Sequence, residues 1–107
     1  MDIYAKLAEL SKEGRAAALC TIIRTKGSTP RKAGSKLIVT SDEKTFGSVG
    51  GGKLEKEVLS DALQCIAEGK TLLNSYSPGA DSEGRSYGEA EIFIDPLPQK
   101  NKLYIFG

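Results

Sequence analysis

The chain has 107 residues, 39% hydrophobic and 27% charged, which fits one soluble domain with a single core and excludes a two-core protein or a disordered chain. Its formal net charge of +1 argues against a dedicated nucleic-acid binder, which would be far more basic. Histidine is absent, so Ser-His and Cys-His catalysis, histidine general bases and most zinc sites are excluded.

The N-terminus, Met1-Asp-Ile-Tyr-Ala5, lacks the basic and apolar regions of a secretory signal. Asp2 to Glu13 carries Ile3, Leu7 and Leu10 at helical spacing and ends at Gly14, which predicts a short amphipathic helix. Ala16 to Ile23 is a continuous apolar run ending in β-branched residues, the pattern of a strand buried on both faces. The Lys26–Gly34 loop follows, and Pro30 bars regular pairing there. Lys36–Thr40 and Thr45–Val49 flank the turn Ser41–Lys44 and predict a hairpin.

A glycine loop then opens onto a helix from Lys53 to Glu68, with Leu54, Val58, Leu59, Ala62, Leu63 and Ile66 on one broad stripe and Gly69 at its end. Thr71–Tyr76 is a further strand. Ser77–Gly88 reads as a loop with Tyr76 and Tyr87 at its flanks. Glu89–Asp95 alternates as a strand and is broken by Pro96 and Pro98. Lys102–Phe106 is a last apolar strand that ends in Gly107, as the first strand of a dinucleotide-binding unit does. The two cysteines, Cys20 and Cys65, fall in apolar stretches and read as core residues, with a reducing cytoplasm as the expected compartment.

Two glycine-punctuated segments carry chemistry. In Gly47-Ser-Val-Gly-Gly-Gly-Lys-Leu-Glu55, three successive glycines precede a helix start. Such a turn leaves backbone N–H groups bare beside the positive end of the helix dipole, which suits an anion. A tight turn packed against a sheet would give the same pattern. Lys53 sits poorly with that dipole unless an anion lies near, and Glu55 is the one acid placed to reach the loop. In Thr25-Lys-Gly-Ser-Thr-Pro-Arg-Lys-Ala-Gly34, two hydroxyls and a guanidinium flank a stiff proline. Ser28 and Thr29 can bond a phosphate or a pterin-like ring edge, and Arg31 can grip a phosphate by two parallel bonds. The segment is not a Walker loop. From Thr21 to Lys53 seven cations (Arg24, Lys26, Arg31, Lys32, Lys36, Lys44, Lys53) face only Asp42 and Glu43, a local patch that suits a small anion. A lysine-protected edge strand would read the same way.

In these residues the chain resembles the xanthine dehydrogenase accessory factor family, also called XdhC/CoxI. The likeness is carried by Arg24–Gly34, by Gly47–Glu55, by the strand Glu89-Ala-Glu-Ile-Phe-Ile-Asp-Pro96 and by the closing Leu103-Tyr-Ile-Phe-Gly107, in order and in register. The resemblance implies a molybdenum-cofactor-binding accessory module, chaperone-like rather than enzymatic, that aids sulfuration and insertion of the cofactor into a xanthine dehydrogenase-type molybdenum hydroxylase. It implies residues 1–100 as the family's N-terminal domain and 101–107 as the first strand of a Rossmann domain that follows it. Many relatives carry cysteine where Lys53 stands, and Cys-Gly-Gly where this chain has Ser86-Tyr-Gly88. Binding through loop amides, Arg31 and Lys53 does not need those thiols.

The expected architecture is α/β, a mixed sheet of five or six strands with two main helices. The expected cofactor-binding residues are Gly27, Ser28, Thr29, Arg31, Lys32, Gly50, Gly51, Gly52, Lys53 and Glu55, with no catalytic or metal-ligating residue. The expected partners are a molybdenum hydroxylase, the cofactor as anionic cargo and a second copy of the chain, with no nucleic acid or membrane. Two other readings are a piece of a nicotinamide-linked oxidoreductase, suggested by the last strand, and a non-catalytic oligomerisation or partner-binding domain.

Overall fold

The computed structural model describes residues 2–29, 31–77 and 88–98. Its elements are α1 (Ile3–Lys12), β1 (Ala17–Lys26), β2 (Lys36–Thr40), β3 (Thr45–Gly47), α2 (Gly52–Glu68), β4 (Leu72–Tyr76) and β5 (Glu89–Pro96). The segments expected at 78–87 and 102–106 lie outside the described residues. The five strands form one sheet in the order β3-β2-β1-β5-β4. The architecture is α/β with two helices, as expected, but every pairing is antiparallel rather than mixed. The landing point of the crossover explains this. After α2 the chain docks β4 outside β5, so β4 never lies beside β1 or β3, the strands that run in its own direction.

Local chemistry sets the helix ends. The Asp2 carboxylate accepts from the amides of Tyr4 (3.0 Å) and Ala5 (3.2 Å), a side-chain N-cap. Gly69 closes α2 in the left-handed region and returns its N–H to the Cys65 carbonyl at 2.8 Å. β1 extends past the expected Ile23 to Lys26, so Arg24, Thr25 and Lys26 belong to the sheet. A bulge between Ile22 and Arg24 interrupts its register with β5. β3 stops at Gly47, short of the expected Val49, and Pro96 closes β5 opposite Ala18 rather than breaking it earlier.

The sheet is covered on both faces. On one, α2 lays Leu54, Val58, Ala62 and Cys65 over Ala18, Cys20 and Ile22 of β1, Leu37 and Val39 of β2, and Ala90, Ile92 and Ile94 of β5. On the other, α1 brings Leu10, Leu7 and Ile3 against Ala17, Leu19, Ile38, Phe46 and Leu97. β1 is thus buried on both faces in its first half, as its apolar run predicts, and emerges at Ile23. Each aliphatic side chain so removed from water contributes about 1.5–3 kcal/mol. Both cysteines are core residues: Cys20 is fully buried and Cys65 nearly so. Burial, with Cys65 nearby, pushes the Cys20 thiol up to about 12, which leaves no reactive thiolate at neutral pH. Tyr76 joins the same core and donates a hydrogen bond from its hydroxyl to Asp61 of α2.

Ile92→Ala, at the sealed centre of the α2 interface, should cost about 2–5 kcal/mol. Leu73→Ala, on the open face, should change stability by less than about 0.5 kcal/mol. Urea denaturation followed by circular dichroism checks both.

Candidate functional site

Antiparallel pairing carries both glycine-punctuated segments to one end of the sheet. There β1 ends, β2 begins and β3 ends. The first segment returns along β1 through Gly34 N–H to Ile22 C=O (2.7 Å) and Ile22 N–H to Ser35 C=O (2.9 Å). The second leaves the sheet where Ser48 N–H donates to the Lys36 carbonyl at 3.1 Å. Lys36, two residues past the end of the first segment, is therefore where the chain leaving it comes beside the second.

The glycines divide by the cause of their presence. A Cβ on Gly47 would lie 2.5 Å from the Lys36 carbonyl oxygen and 2.9 Å from Ile3, and one on Gly88 would lie 1.9 Å from the Lys26 carbonyl oxygen. Gly27 packs against Gly88, whose N–H donates to the Ser28 carbonyl at 2.7 Å. Gly47 and Gly88 are small because the protein leaves no room, and Gly27 because its φ of 72° adds to a tight 3.2 Å approach. Gly51 and Gly52 differ. Both have positive φ, 75° and 58°, yet a Cβ on either would meet nothing within 4 Å. Backbone conformation requires glycine there, and the space in front is open.

The amides expected to be bare are partly committed. Glu55, from the first turn of α2, turns its carboxylate back onto the loop. Oε1 accepts from the Ser48 hydroxyl at 2.6 Å and the Val49 amide at 3.0 Å, and the Ser48 oxygen accepts from Gly50 N–H at 3.1 Å. Partial burial opposes the charge. The bonds from Ser48, Val49, Gly51 and Gly50 outweigh it and hold the carboxyl below its ordinary range. The loop's donors do gather an anion, but the anion is the chain's own carboxylate. What remains is the first turn of α2, where the amides of Gly52, Lys53 and Leu54 find no acceptor among the described residues.

The other expected residues sit as follows. Lys53 is exposed and 4.0 Å from Glu57 one turn on. Arg31 and Lys32 are exposed, and no described carboxylate lies within ion-pair distance of either. The Thr29 hydroxyl donates to the Arg31 carbonyl at 2.8 Å and shapes the loop around position 30. Ser28 is exposed and tied through its carbonyl to Gly88. Among the described residues no hydrogen bond links 27–32 to 50–55. A cavity of about 310 Å³ beside the helix start is lined by Glu43, Thr45, Gly52, Glu55, Lys56 and Leu59. A second, of about 220 Å³, lies at the strand tip between Arg24, Thr25, Lys26, Ser75, Glu89 and Glu91. Neither spans both segments. Ser48 and Gly88 are structural members that the sequence reading does not single out. Ser48 and Glu55 are seven apart, too far for the usual capping-box spacing of three, and the tight contact of Gly88 with Lys26 exists only once β1 and β5 pair.

Among the described residues no group of three or more His, Cys, Asp or Glu side chains could hold a metal ion, and no helix is long and apolar enough to cross a membrane.

The model of the XdhC and CoxI family matches residues 10–77, a span containing both segments. Over 111 aligned positions the chain is 31% identical to the uncharacterized protein YqeB of Escherichia coli (strain K12), covering 100% of this chain and 20% of that protein. It also superposes with a TM-score of 0.78 on a crystal structure described as a xanthine dehydrogenase from Bacillus halodurans, at 21% identity over 97% of this chain and 33% of the other. That second likeness establishes the fold. The chain thus spans a fifth of one relative and a third of the other.

Gly47→Ala should destabilise by about 2–4 kcal/mol, from a backbone clash added to a positive φ, whereas Gly51→Ala should cost about 1 kcal/mol from φ alone. Glu55→Gln should lower the melting temperature at neutral pH by about 4–8 °C. Because the folded carboxyl is held low, its contribution is complete above the ordinary carboxylate range and is lost as pH falls through the lowered value. The melting difference between wild type and Glu55→Gln should therefore vanish in acid. Thermal melts across a pH series measure all three variants.

Proposed function

Because the chain belongs to the XdhC and CoxI family, we propose that it is a cofactor-handling accessory module that binds the molybdenum cofactor as cargo and delivers it to a xanthine dehydrogenase-type molybdenum hydroxylase. The observation that carries this reading is the open space in front of Gly51 and Gly52, beside first-turn amides that find no acceptor among the described residues, at the end of the sheet where the basic segment also terminates.

The residues fit the anionic end of such a cargo. The exposed amides of Gly52 and Lys53 and the positive end of α2 favour a phosphate. Arg31 and Lys32 are free of described ion pairs and supply charge-assisted hydrogen bonds from the first segment. Ser28 and Thr29 offer hydroxyls to a polar ring edge. Glu55 takes a different part from the one expected. It holds the loop rather than the ligand, since a carboxylate facing a phosphate repels it. No side chain here is an activated nucleophile. Binding and release, with the cargo passing to the partner enzyme, suffices.

The test is equilibrium binding of molybdopterin to the purified chain. Saturable binding is expected, weakened about ten- to a hundredfold by Arg31→Ala, which removes a bidentate phosphate contact without touching the core. Absence of saturable binding, or an Arg31→Ala variant that binds like wild type, refutes the reading.

A further inference from the structure

Glu55 places a negative charge where the proposed cargo would bring another. Its Oε1 accepts from the Ser48 hydroxyl at 2.6 Å and the Val49 amide at 3.0 Å, so the charge is fixed against the start of α2. Glu55 and Gly52 also line the same cavity of about 310 Å³. The other charged residues on its wall are Glu43, from the turn before β3, and Lys56 of α2. Two carboxylates stand there against one ammonium. The Glu43 side chain makes no ion pair among the described residues, and Lys53 turns to Glu57 at 4.0 Å. An anion arriving from solvent therefore meets the positive end of the helix with a fixed negative charge beside it.

Resting on the cofactor reading, we propose that Glu55 limits how tightly the site holds its cargo, as a built-in anion that competes with the cargo's phosphate for the positive end of α2. A fixed like charge within the same helical turn costs an entering anion about tenfold in affinity. Such a limit suits a module whose task ends in release, since a site that held the phosphate at full strength would keep its load from the partner enzyme.

The coupling is reciprocal. A carboxylate that weakens the anion is, by the same factor, made easier to protonate when the anion is bound. The loop's hydrogen bonds hold the empty site's Glu55 carboxyl below its ordinary range, and a bound dianion raises its titration midpoint by about one pH unit for a tenfold coupling. Glu43 and Lys56 share the cavity with it in both states.

Equilibrium binding of molybdopterin to the whole chain tests this with wild type, Glu55→Gln and Glu43→Gln, each checked for native circular dichroism. Glu55→Gln removes the charge and keeps an acceptor oxygen for Ser48 and Val49. It should bind about tenfold more tightly than wild type although it melts lower. Glu43→Gln removes an exposed charge from the same wall and should bind within about threefold of wild type. A third arm needs no variant. Carbon-13 NMR of the wild-type Glu55 carboxyl should show its midpoint rise by about one pH unit in saturating sulfate, a dianion throughout the carboxylate range, against chloride at equal ionic strength. Glu55→Gln binding equal to or weaker than wild type, an equal gain from Glu43→Gln, or a midpoint that sulfate does not move overturns the proposal, while wild-type binding of molybdopterin keeps the cofactor reading. Absence of saturable binding in wild type and Glu55→Gln alike overturns both.

Discussion

Glu55 reaches back from the first turn of α2 to the Ser48 hydroxyl and the Val49 amide, and the path of the chain from sheet to helix follows from that reach. It pins a loop whose glycines would otherwise sample many conformations. It holds the amide of Val49, whose side chain lies in the core, close to the start of α2. It also answers an electrostatic demand. The start of a seventeen-residue helix concentrates partial positive charge, and with Lys53 in the first turn an internal anion is the simplest way to balance it.

The same carboxylate divides the loop into two parts. Its inner amides are occupied by the fold. Outside them, the backbone at Gly51 and Gly52 borders open space. The inner contacts keep the loop in shape while the surface in front of Gly51 and Gly52 stays clear. Glycine thus serves two ends here. Gly27, Gly47 and Gly88 allow strands and loops to approach closely, and Gly51 and Gly52 keep a surface clear.

Much of this was readable from the chain alone. The period of Leu54, Val58 and Ala62 placed α2 and its buried face, and the alternation of Ala90, Ile92 and Ile94 placed β5 and its inward side. Helix ends followed from Asp2 and Gly69. The sheet's direction was not readable, because it depends on whether β4 docks beside β3 or beyond β5, a choice made by tertiary packing. The role of Glu55 was half readable. Its reach to the loop follows from its place in the first helical turn, but a bond to Ser48 across six intervening residues depends on how the glycines coil. Likewise, the sequence could offer both glycine segments as one site, whereas the pairing of Gly27 with Gly88 draws the start of the first segment toward the tip of β5 and leaves Lys36, two residues past its end, nearest the second.

The bulge in β1 has a further effect on the tip of the sheet. Up to Ile22, even-numbered residues face α2. Beyond the interruption Thr25 lies opposite Ala90, so the parity is reversed and Arg24 and Lys26 lie opposite Glu91 and Glu89 on the far face. One inserted residue thereby acts as a phase shift. It keeps two cations off the greasy side of the long helix and aligns them with two anions, so the polarity of the tip is set by a residue count rather than by the identity of any side chain there.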